Sequence, residues 1–362
     1  MISIHSSDLV RALRRVVPVL PSRGGIPIHS CVRIQAAPGG VLFAATDGIR
    51  AVQTVVDGEA SGGMLAVPGA MLAKIASTLP IGEVTLAPGK GHVEVRAGKA
   101  RFRIPAYDSG DLAPLHERSG DPFLAVSARK LGDAFAAVRH AVSDDDSRPH
   151  LSGVLVELDA LNIMRVVATD GHRLVLHTSA VDGGERARSL FVPGLALPML
   201  VALCGEHLEH VVEVRRQSGY VLATAAATTV AVREVEAQFP PYAKIIPSDD
   251  ARGTHAGVDR KDLADAVARV AVVVAGTSGV RLEIGASSVS LSAAGPDVGE
   301  ASDDVAASVS GKPRKVGLNA GYVLDALRSS SSERATVSVN GDLDPVVIET
   351  VDTLSVIMPM RV

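Results

Sequence analysis

The chain has 362 residues, enough for two or three domains, and 47% of them are hydrophobic, so several cores can be buried. Aromatic residues make up only 3% and Trp is absent, so Val, Leu, Ile and Ala must fill those cores. The formal net charge of −4 excludes a polycation, so contact with a nucleic acid would require a local basic face.

Cysteine use and the N-terminal sequence indicate a compartment. Cys31 and Cys204 give neither a disulfide framework nor the spacing of a metal site, which fits a reducing environment. The first ten residues lack the charged segment and the apolar run of a signal peptide, and no apolar run reaches transmembrane length. We therefore expect a cytoplasmic protein with no membrane partner, no metal and no cofactor.

The first third of the chain is predicted to combine two helices with short strands. Residues 6–20 carry apolar side chains at helical spacing after a capping Ser6 or Ser7. A second helix is predicted from Ala70 to Thr78, with Pro68 near its first turn. The predicted strands are 28–35, 41–45, 50–56, 83–87, 92–97 and 100–104.

The second third follows the same plan. Ser127 is predicted to cap a helix, and Val192-Pro193-Gly194 opens another, 125 positions after Val67-Pro68-Gly69. The apolar face of the first of these helices is Leu131, Phe135, Val138 and Val142. The predicted strands are 152–158, 163–168, 209–215, 219–224 and 228–234.

The last third repeats the plan again. Asp259 is predicted to cap a helix, and Asn319 precedes another that runs through Leu327. The predicted strands are 280–284, 288–293, 335–339, 345–350 and 354–358. Three copies of helix, strands, helix, strands predict an α+β fold in which helices cover one face of an antiparallel sheet. The predicted domains are 1–122, 123–250 and 251–362.

One short sequence occurs twice at the same place in this plan. Thr169-Asp170-Gly171 lies between two apolar runs, and Thr46-Asp47-Gly48 does the same 123 positions earlier. Asp-Gly between β-prone runs is a turn signal, because both residues tolerate positive φ. We predict two hairpin tips, the second of which displays Thr169, His172, Arg173 and Leu174 at a surface.

The second tip also has an enzymatic interpretation. Asp170 and His172 could form an acid–base pair in a hydrolytic, DNA-modifying enzyme. The first tip has Ile49 where the second has His172, and no nucleophile or third ligand lies nearby in sequence. The repeat favours a structural turn, and we expect no catalytic residue.

Four motifs together resemble the bacterial DNA polymerase III beta subunit, the sliding clamp. They are A-T-D-G-H-R-L at 168–174, F-P-P-Y at 239–242 with Lys244 behind it, Y-V-L-D-A-L at 322–327 and the ending V-I-M-P-M-R-V. The resemblance covers the whole chain, including the threefold repeat. It implies the DNA clamp fold, with two helices packed on antiparallel sheet in each domain, and a head-to-tail homodimer forming a closed ring around duplex DNA.

The resemblance implies a processivity factor for DNA replication, not an enzyme. Its implied partners are duplex DNA bound without sequence preference, the DNA polymerase III alpha subunit, the clamp loader and other proteins with a clamp-binding motif. A specialised second clamp copy, such as one that resists an inhibitor, remains an alternative. The expected DNA-binding residues are Arg11, Arg14, Arg15, Arg23, Lys74 and Arg148. Val272 and Val273 are expected at the dimer interface.

The resemblance also implies a pocket for partner peptides. Its expected residues are Leu151, Thr169, Gly171, His172, Arg173, Leu174, Pro240, Lys244, Ile245, Val356, Met358, Pro359, Met360 and Arg361. Flexible, polarizable Met side chains suit a groove that accepts several peptides. The chain departs from the family where Asp144-Asp145-Asp146 replaces basic or amide residues, where Lys244 replaces Arg, and where Pro149-His150-Leu151 lacks an aromatic residue.

Overall fold

The structure is a computed structural model that describes residues 1–21, 27–108, 110, 112, 115–116, 119–181, 187–249, 252–274, 279–295 and 299–361. Six α-helices lie in these ranges: α1 (Ser6–Val16), α2 (Gly69–Ala76), α3 (Ala128–Val138), α4 (Leu197–Glu206), α5 (Arg260–Val270) and α6 (Ala320–Arg328). In the described part of the chain, no helix is both long enough and apolar enough to cross a membrane.

The strands of the first 127 residues are β1 (Ile2–His5), β2 (Cys31–Ala37), β3 (Gly40–Thr46), β4 (Arg50–Val56), β5 (Glu59–Ala60), β6 (Leu65–Pro68), β7 (Glu83–Gly89), β8 (His92–Ala97), β9 (Ala100–Pro105) and β10 (Leu124–Ser127). Those of the middle segment are β11 (Gly153–Leu158), β12 (Ile163–Thr169), β13 (Arg173–Ala180), β14 (Arg188–Pro193), β15 (Val211–Gln217), β16 (Tyr220–Ala225) and β17 (Thr228–Arg233). Those of the last segment are β18 (Thr254–Asp259), β19 (Val280–Ile284), β20 (Ser288–Gly295), β21 (Gly299–Ser310), β22 (Arg314–Leu318), β23 (Arg334–Val339), β24 (Val346–Glu349) and β25 (Thr353–Ile357).

The chain forms two compact units. The first comprises Met1–Arg129 and Pro198–Glu234 and contains a five-stranded sheet, β5-β1-β7-β8-β9, and an eight-stranded sheet, β10-β15-β16-β17-β4-β3-β2-β6. The second comprises Lys130–Leu197 and Val235–Val362 and contains a twelve-stranded sheet, β14-β11-β12-β13-β25-β24-β23-β18-β21-β20-β19-β22.

Each third of the chain supplies two helices and a set of antiparallel strands, which confirms the three-domain α+β organisation. Within the first unit α1 packs on α2 and on β4, and within the second unit α5 packs on α6 and β21. The cores are aliphatic, as the composition predicts, with Val267, Leu282 and Leu327 fully buried in the last third. The predicted boundaries near 122 and 250 stay a prediction.

Several helix ends follow local chemistry. Asp259 caps α5 as predicted, because its carboxylate accepts from the N–H groups of Lys261 and Asp262. The prediction of Ser6 or Ser7 as the cap of α1 is wrong: His5 is the N-cap, and its ring accepts from the Ser7 N–H. The predicted helix 6–20 stops at Val16, because Pro18 has no N–H to continue the helical bonds, and a short 3-10 helix follows.

Other differences concern segments with ambiguous patterns. Val142 lies beyond the end of α3 in extended conformation, so its place on the predicted helix face is wrong. The predicted strand 28–35 begins only at Cys31, after a 3-10 helix at Pro27–Ser30. The sequence analysis missed β21 (Gly299–Ser310) because Ser, Asp and Ala dominate it; pairing with β18 and β20 makes it a strand.

Candidate functional site

The second tip, Thr169–Leu174, is a hairpin turn between β12 and β13. One Asp170 oxygen accepts hydrogen bonds from the His172 N–H at 2.9 Å and the Arg173 N–H at 3.0 Å. The Thr169 hydroxyl donates to the Arg173 carbonyl at 2.7 Å and accepts from the Gly171 N–H at 3.2 Å. Gly171 has φ of 91°, in the left-handed region that favours glycine. The turn prediction is confirmed, and the Asp170 carboxylate is committed to the backbone.

Arg173 braces this tip from the helix side of the sheet. Its guanidinium donates to Asp170 at 3.0 Å, to Asp325 at 2.5 Å and to the His140 carbonyl. It also lies 4.3 Å from the centre of the Tyr322 ring, a cation–π distance. Its side chain is only 12% exposed. The guanidinium is thus directed into the protein, and we expect it to affect a ligand through the position of the tip.

His140 lies within this polar cluster. Burial, and next the positive charge of Arg173, lower the pKa of His140 to about 4, although Asp325 and Asp170 act in the opposite direction. Its Nε2 atom is buried without a hydrogen-bond partner among the described residues. The imidazole is therefore neutral at physiological pH.

The opposite face of the sheet at this tip carries a cluster of bulky apolar side chains. Val167, Leu174 and Val356 are fully buried in it. Its half-buried members from the strands are Leu155, Leu176 and Leu354, and those from the segment that covers them are Phe239, Tyr242 and Ile246. The prediction that the tip exposes Thr169 and Leu174 is wrong: their side chains pack inward, and Leu174 is 1% exposed because it pairs with Val356 beneath this segment. Leu151 is buried as well.

The C-terminal tail lies directly beside the tip. Strand β25 pairs with β13 so that Leu174 faces Val356, and the Met358 N–H then donates to the His172 carbonyl at 2.9 Å. The Met360 N–H donates to the Gly317 carbonyl at 2.9 Å, which fixes the tail on the edge strand β22. Met358 is 43% exposed, Pro359 and Met360 are half-buried, and Arg361 is exposed. The structure therefore brings tip and tail together.

The segment after β17 forms the other side. The Tyr242 hydroxyl donates to Glu157 at 2.6 Å, and burial followed by this bond raises the tyrosine pKa. Phe239 lies between the rings of Phe191 and Tyr242, at 6.2 and 6.5 Å. The predicted residues Lys244 and Ile245 are exposed and Pro240 is half-buried. Sequence reasoning missed Leu155, Leu176, Leu354, Phe239 and Tyr242; counting every second residue from Leu174 along the strand would have found Leu176.

The first tip, Thr46–Ala51, has the same hydrogen bonds. One Asp47 oxygen accepts from the Ile49 N–H at 2.9 Å and the Arg50 N–H at 2.6 Å, and the Thr46 hydroxyl donates to the Arg50 carbonyl at 2.7 Å. The Arg50 guanidinium donates twice to the second Asp47 oxygen, at 2.9 and 2.7 Å. Burial opposes ionisation of Asp47, but these bonds outweigh it and lower its pKa.

The expected DNA-binding side chains of the first unit differ in their surroundings. Arg14 and Lys74 are exposed on α1 and α2, and neither has an ion pair within the described ranges. Arg11 is half exposed beside Asp8. Arg15 is half-buried and donates to Glu206 at 2.6 Å and to the hydroxyls of Thr54 and Thr228 at 3.1 Å, and its contact with DNA stays a prediction. Its guanidinium is thereby held by the protein.

The remaining predicted DNA-binding and interface residues are Arg148, Arg23, Val272 and Val273. Arg148 donates to Asp145 at 2.8 Å and to the Asp170 carbonyl at 3.1 Å, so it supports the second tip, and its contact with DNA stays a prediction. Arg23 lies outside the described residues. Val272 and Val273 belong to a 3-10 helix after α5, where Val272 is 76% exposed and Val273 is half-buried.

No arrangement of metal ligands is found in the described ranges: no group of three His, Cys, Asp or Glu side chains could hold an ion there. The Asp170 and His172 side chains are likewise not paired as acid and base, because the Asp170 carboxylate accepts from backbone N–H groups and from Arg173.

Comparison with known proteins gives matches along the whole chain. Three family models cover the chain in order: the N-terminal domain of the DNA polymerase III beta subunit matches residues 1–116, the central domain residues 125–241 and the C-terminal domain residues 243–361. The beta sliding clamp of Caulobacter vibrioides is 28% identical over 382 residues and covers 100% of both chains. That of Vibrio cholerae is 24% identical over 99% of both.

Solved structures share the fold. The DNA polymerase sliding clamp from Bacillus subtilis has a TM-score of 0.93 at 23% identity, covering 100% of this chain and 99% of that one. The DNA polymerase III subunit beta from Pseudomonas aeruginosa has a TM-score of 0.92 at 24% identity, covering 100% of both chains.

Proposed function

The chain belongs to the DNA polymerase III beta subunit family, and from that premise we propose how its residues serve the task of the family. It is a DNA sliding clamp for the replicative polymerase, a processivity factor and not an enzyme. We propose that the second tip and the C-terminal tail form its docking groove for partner peptides. The observation that carries this proposal is the Met358–His172 backbone bond, which places exposed Met358 next to exposed His172.

The groove has a floor and a rim of different character. The floor is the half-buried part of the apolar cluster, Leu155, Leu176 and Leu354, which packs against the fully buried Leu174 and Val356. The rim offers Met358, Met360 and Ile245, which are adaptable or exposed apolar side chains. Lys244 and Arg361 supply positive charge at the exposed edge. This combination suits a short linear motif such as Gln-Leu-x-Leu-Phe.

The partners of this groove would be the polymerase III alpha subunit, the clamp loader and other proteins with such a motif. Burying one Leu and one Phe side chain gives roughly 3–6 kcal/mol before ordering costs. Because a dissociation constant of 1 μM corresponds to about 8.2 kcal/mol, burial of these two side chains alone supports an affinity no tighter than tens of micromolar for an isolated peptide. Competition for one groove would let partners replace each other. A cytoplasmic location follows from these partners.

The groove can be tested with a fluorescent Gln-Leu-Asp-Leu-Phe peptide. Polarisation should show saturable binding, and removal of residues 358–362 should abolish it, since the exposed Met side chains and the bond to His172 are lost together. The matched control is Ile49→Ala, which alters an exposed side chain at the first tip. Unchanged affinity after the truncation would remove the tail from the site.

For DNA, we propose diffuse contact through Arg11, Arg14 and Lys74, with Arg23 as the remaining predicted contributor. A clamp that slides needs salt-dependent attraction to phosphates without base readout. Since Arg15 is held by Glu206 and two threonines, Arg14→Ala should weaken low-salt duplex binding more than Arg15→Ala does. Electrophoretic shifts on one duplex at two salt concentrations compare them. Equal losses would contradict the assignment.

For assembly, we propose that two chains close head to tail into a ring, with Val272 and Val273 at the contact. In a heterologous contact, one end of a chain binds the opposite end of the next chain. Such an assembly closes after two copies if the rotation between the copies allows it. Light scattering should give twice the chain mass of 37.4 kDa. Val272→Asp should shift that mass toward the monomer, because it would bury an unpaired charge at the interface. A wild-type monomer at all concentrations would refute the ring.

A further inference from the structure

A cavity of about 190 Å³ lies between helices α1 and α4 in the first compact unit, and we name it the α1–α4 cavity. Its floor belongs to strands β4 and β17, which pair so that Val52 faces Val230. Both valines and Leu203 of α4 are at most 4% exposed. The other apolar side chains of the lining are Pro18, Pro198, Met199 and Ala202. The cavity therefore offers a small molecule an apolar floor and apolar walls.

A polar bridge at this cavity joins the two helices to the floor. Arg15 of α1 donates to Glu206 of α4 at 2.6 Å and to the hydroxyls of Thr54 and Thr228 at 3.1 Å. These two hydroxyls are 2.8 Å apart and form a hydrogen bond between β4 and β17. Because Arg15 contacts α4 and both strands, it fixes the separation of the helices. The cavity is therefore formed before a ligand binds.

Arg14 supplies a positive charge at the rim of the cavity. It precedes Arg15 on α1, its side chain is exposed, and it forms no ion pair with another described residue. Arg15 and Glu206 neutralise each other, so Arg14 leaves the lining with a net formal charge of +1. A carboxylate at the rim would accept hydrogen bonds from this guanidinium, whose planar fork matches a carboxylate in geometry.

The size and the walls of the cavity favour one aromatic ring. A protein cavity of about 150 Å³ that is lined by apolar side chains stays dry and binds benzene. At about 190 Å³, the α1–α4 cavity has room for such a ring and for a short link that brings an acid to Arg14. A DNA phosphate could pair with Arg14 but has no apolar body to cover the floor. A small aromatic carboxylate makes use of both the floor and the rim.

We infer that the α1–α4 cavity binds a small aromatic carboxylate, whose ring contacts Val52, Val230 and Leu203 and whose acid group pairs with Arg14. Arg14 is also a proposed contact to DNA phosphates, so a bound acid would compete with DNA for this side chain. This consequence rests on the proposed function, whereas the binding itself does not. Occupancy of the cavity would thus reduce the diffuse attraction between the protein and DNA.

The binding test uses the full-length protein with isotope-labelled methionine methyl groups. Met199 lines the cavity, whereas Met358 and Met360 report on the groove between the second tip and the tail. The probe is phenylacetate, and the matched control is phenylacetamide, which has the same shape and no charge. We expect a saturable shift of the Met199 signal with a dissociation constant on the order of 1–10 mM, because one ring is buried. Phenylacetamide should bind about twofold to fivefold more weakly, since water screens an ion pair with an exposed arginine.

Two variants separate the floor from the rim. Ala202→Leu enlarges a wall side chain at an exposed position of α4, so it should abolish the Met199 shift without unfolding the protein. Arg14→Gln should make the acid and the amide bind equally while the Met199 shift persists. Arg11→Gln changes an arginine of the same helix that lies outside the lining, and it should keep the preference for the acid. Equal binding of the acid and the amide to the wild type, unchanged binding by Ala202→Leu, or shifts of the groove methionines alone would each overturn the inference.

A second measurement tests the consequence for DNA. At low salt, saturating phenylacetate should lower the duplex affinity of the wild type, compared with acetate at the same concentration, and should leave that of Arg14→Gln unchanged. A Met199 shift without a loss of DNA affinity would support the binding site and contradict the DNA contact of Arg14, so the two proposals fail separately. A duplex that shifts the Met199 signal and is not displaced by phenylacetate would identify phosphate as the ligand and refute the aromatic acid.

Discussion

The two tips share one backbone and differ in what that backbone supports. Thr46 and Thr169 make the same pair of turn bonds, and Asp47 and Asp170 accept the same two backbone N–H groups. At the second tip Leu174 is buried in an apolar cluster, whereas at the first tip Ala51 lines a cavity. The turn is therefore a structural device, and recognition depends on the side chains of the neighbouring strands.

The arginines that follow each turn make the second difference. Among the carboxylates of the described residues, Arg50 donates to Asp47 alone, through two nitrogens. Arg173 divides its donors among Asp170, Asp325 and the His140 carbonyl and stacks on Tyr322. The second tip is thus connected to α6 of the last third of the chain, where the exposed tail also originates. A groove made from two thirds of the chain requires such a connection to keep its sides in register.

The largest effect should come from Leu174→Ala, which gives the second tip the side chain of the first. Loss of a fully buried leucine should lower the unfolding free energy by about 2–5 kcal/mol, because the cluster cannot collapse around the space. Urea unfolding followed by a probe in the second unit measures it. The control Ile49→Ala, at a half-exposed side chain, should change stability by less than about 0.5 kcal/mol. A loss below about 1 kcal/mol for Leu174→Ala, which is about the contribution of one buried methylene group, would mean that the cluster is loosely packed.

The second effect is a difference between the two tips in the loss of stability at low pH. The folded-state pKa of His140 is lowered to about 4 from 6.5, so the unfolded chain binds more protons between these values. Stability is complete above pH 6.5 and falls as the pH drops toward 4, on the order of 3 kcal/mol in all. The pKa of Asp47 is lowered below 3.8, so stability that depends on it is lost only as the pH falls through that lower value.

Hydrogen exchange of the tip amides at pH 7 and pH 5, corrected for intrinsic rates, separates the pH range in which His140 affects stability from the lower range in which Asp47 does. The second tip should lose protection at pH 5 and the first should not. His140→Asn removes the titrating ring and keeps the backbone carbonyl that accepts from Arg173, so it should reduce the pH dependence of the second tip. If both tips lose protection equally in the wild type, His140 is not the source.

The turn chemistry, the Asp259 cap of α5 and the repeat could be predicted from the sequence because each depends on a few adjacent residues. Asp-Gly specifies the turn, and Asp259 caps α5 whatever surrounds it. The orientation of Leu174 could not be predicted. The alternation of side chains along a strand assigns them to two faces of the sheet, but it does not show which face is covered. At the second tip both are covered: helix-side groups surround Arg173, and the segment at 239–246 lies over Leu174.

The remaining site residues depend on contacts between distant parts of the chain. Arg15 is charged and off the apolar face of α1, so the sequence predicts a solvated cation, but Glu206 is 191 positions away and holds it. The family resemblance predicts Arg148 and Arg173 as site residues, and only the fold shows that both support the second tip. Such pairings require the tertiary structure.

A third effect should be nearly the same at both tips. Asp47→Asn and Asp170→Asn keep the turn acceptor but weaken the charge-assisted bonds to the following arginine. We expect each to lower stability by about 1.5–3 kcal/mol, because a hydrogen bond to a charged group contributes about that much. Thermal unfolding of the two single variants measures it. The DNA synthesis that a polymerase carries out in the presence of the clamp should persist with Asp170→Asn. A selective loss of this synthesis would favour the enzymatic interpretation.

The smallest effect should be the coupling between Arg173 and Asp325, which only the second tip possesses. The 2.5 Å contact joins a buried guanidinium to a carboxylate that is 44% exposed, so solvent screens the pair. A double-mutant cycle with Arg173→Gln and Asp325→Asn should give a coupling of about 0.5–1 kcal/mol in stability. In the same cycle, Asp325→Asn should lower the affinity for the Gln-Leu-Asp-Leu-Phe peptide by about twofold to fivefold. This range is the coupling energy converted to a ratio of affinities, since 1.4 kcal/mol corresponds to a factor of ten. Asp325 lies on α6, on the helix side of the sheet, so this loss can reach the peptide only through the position of the tip. If stability shows coupling and peptide affinity does not change, Arg173 stabilises the fold without setting the geometry of the groove.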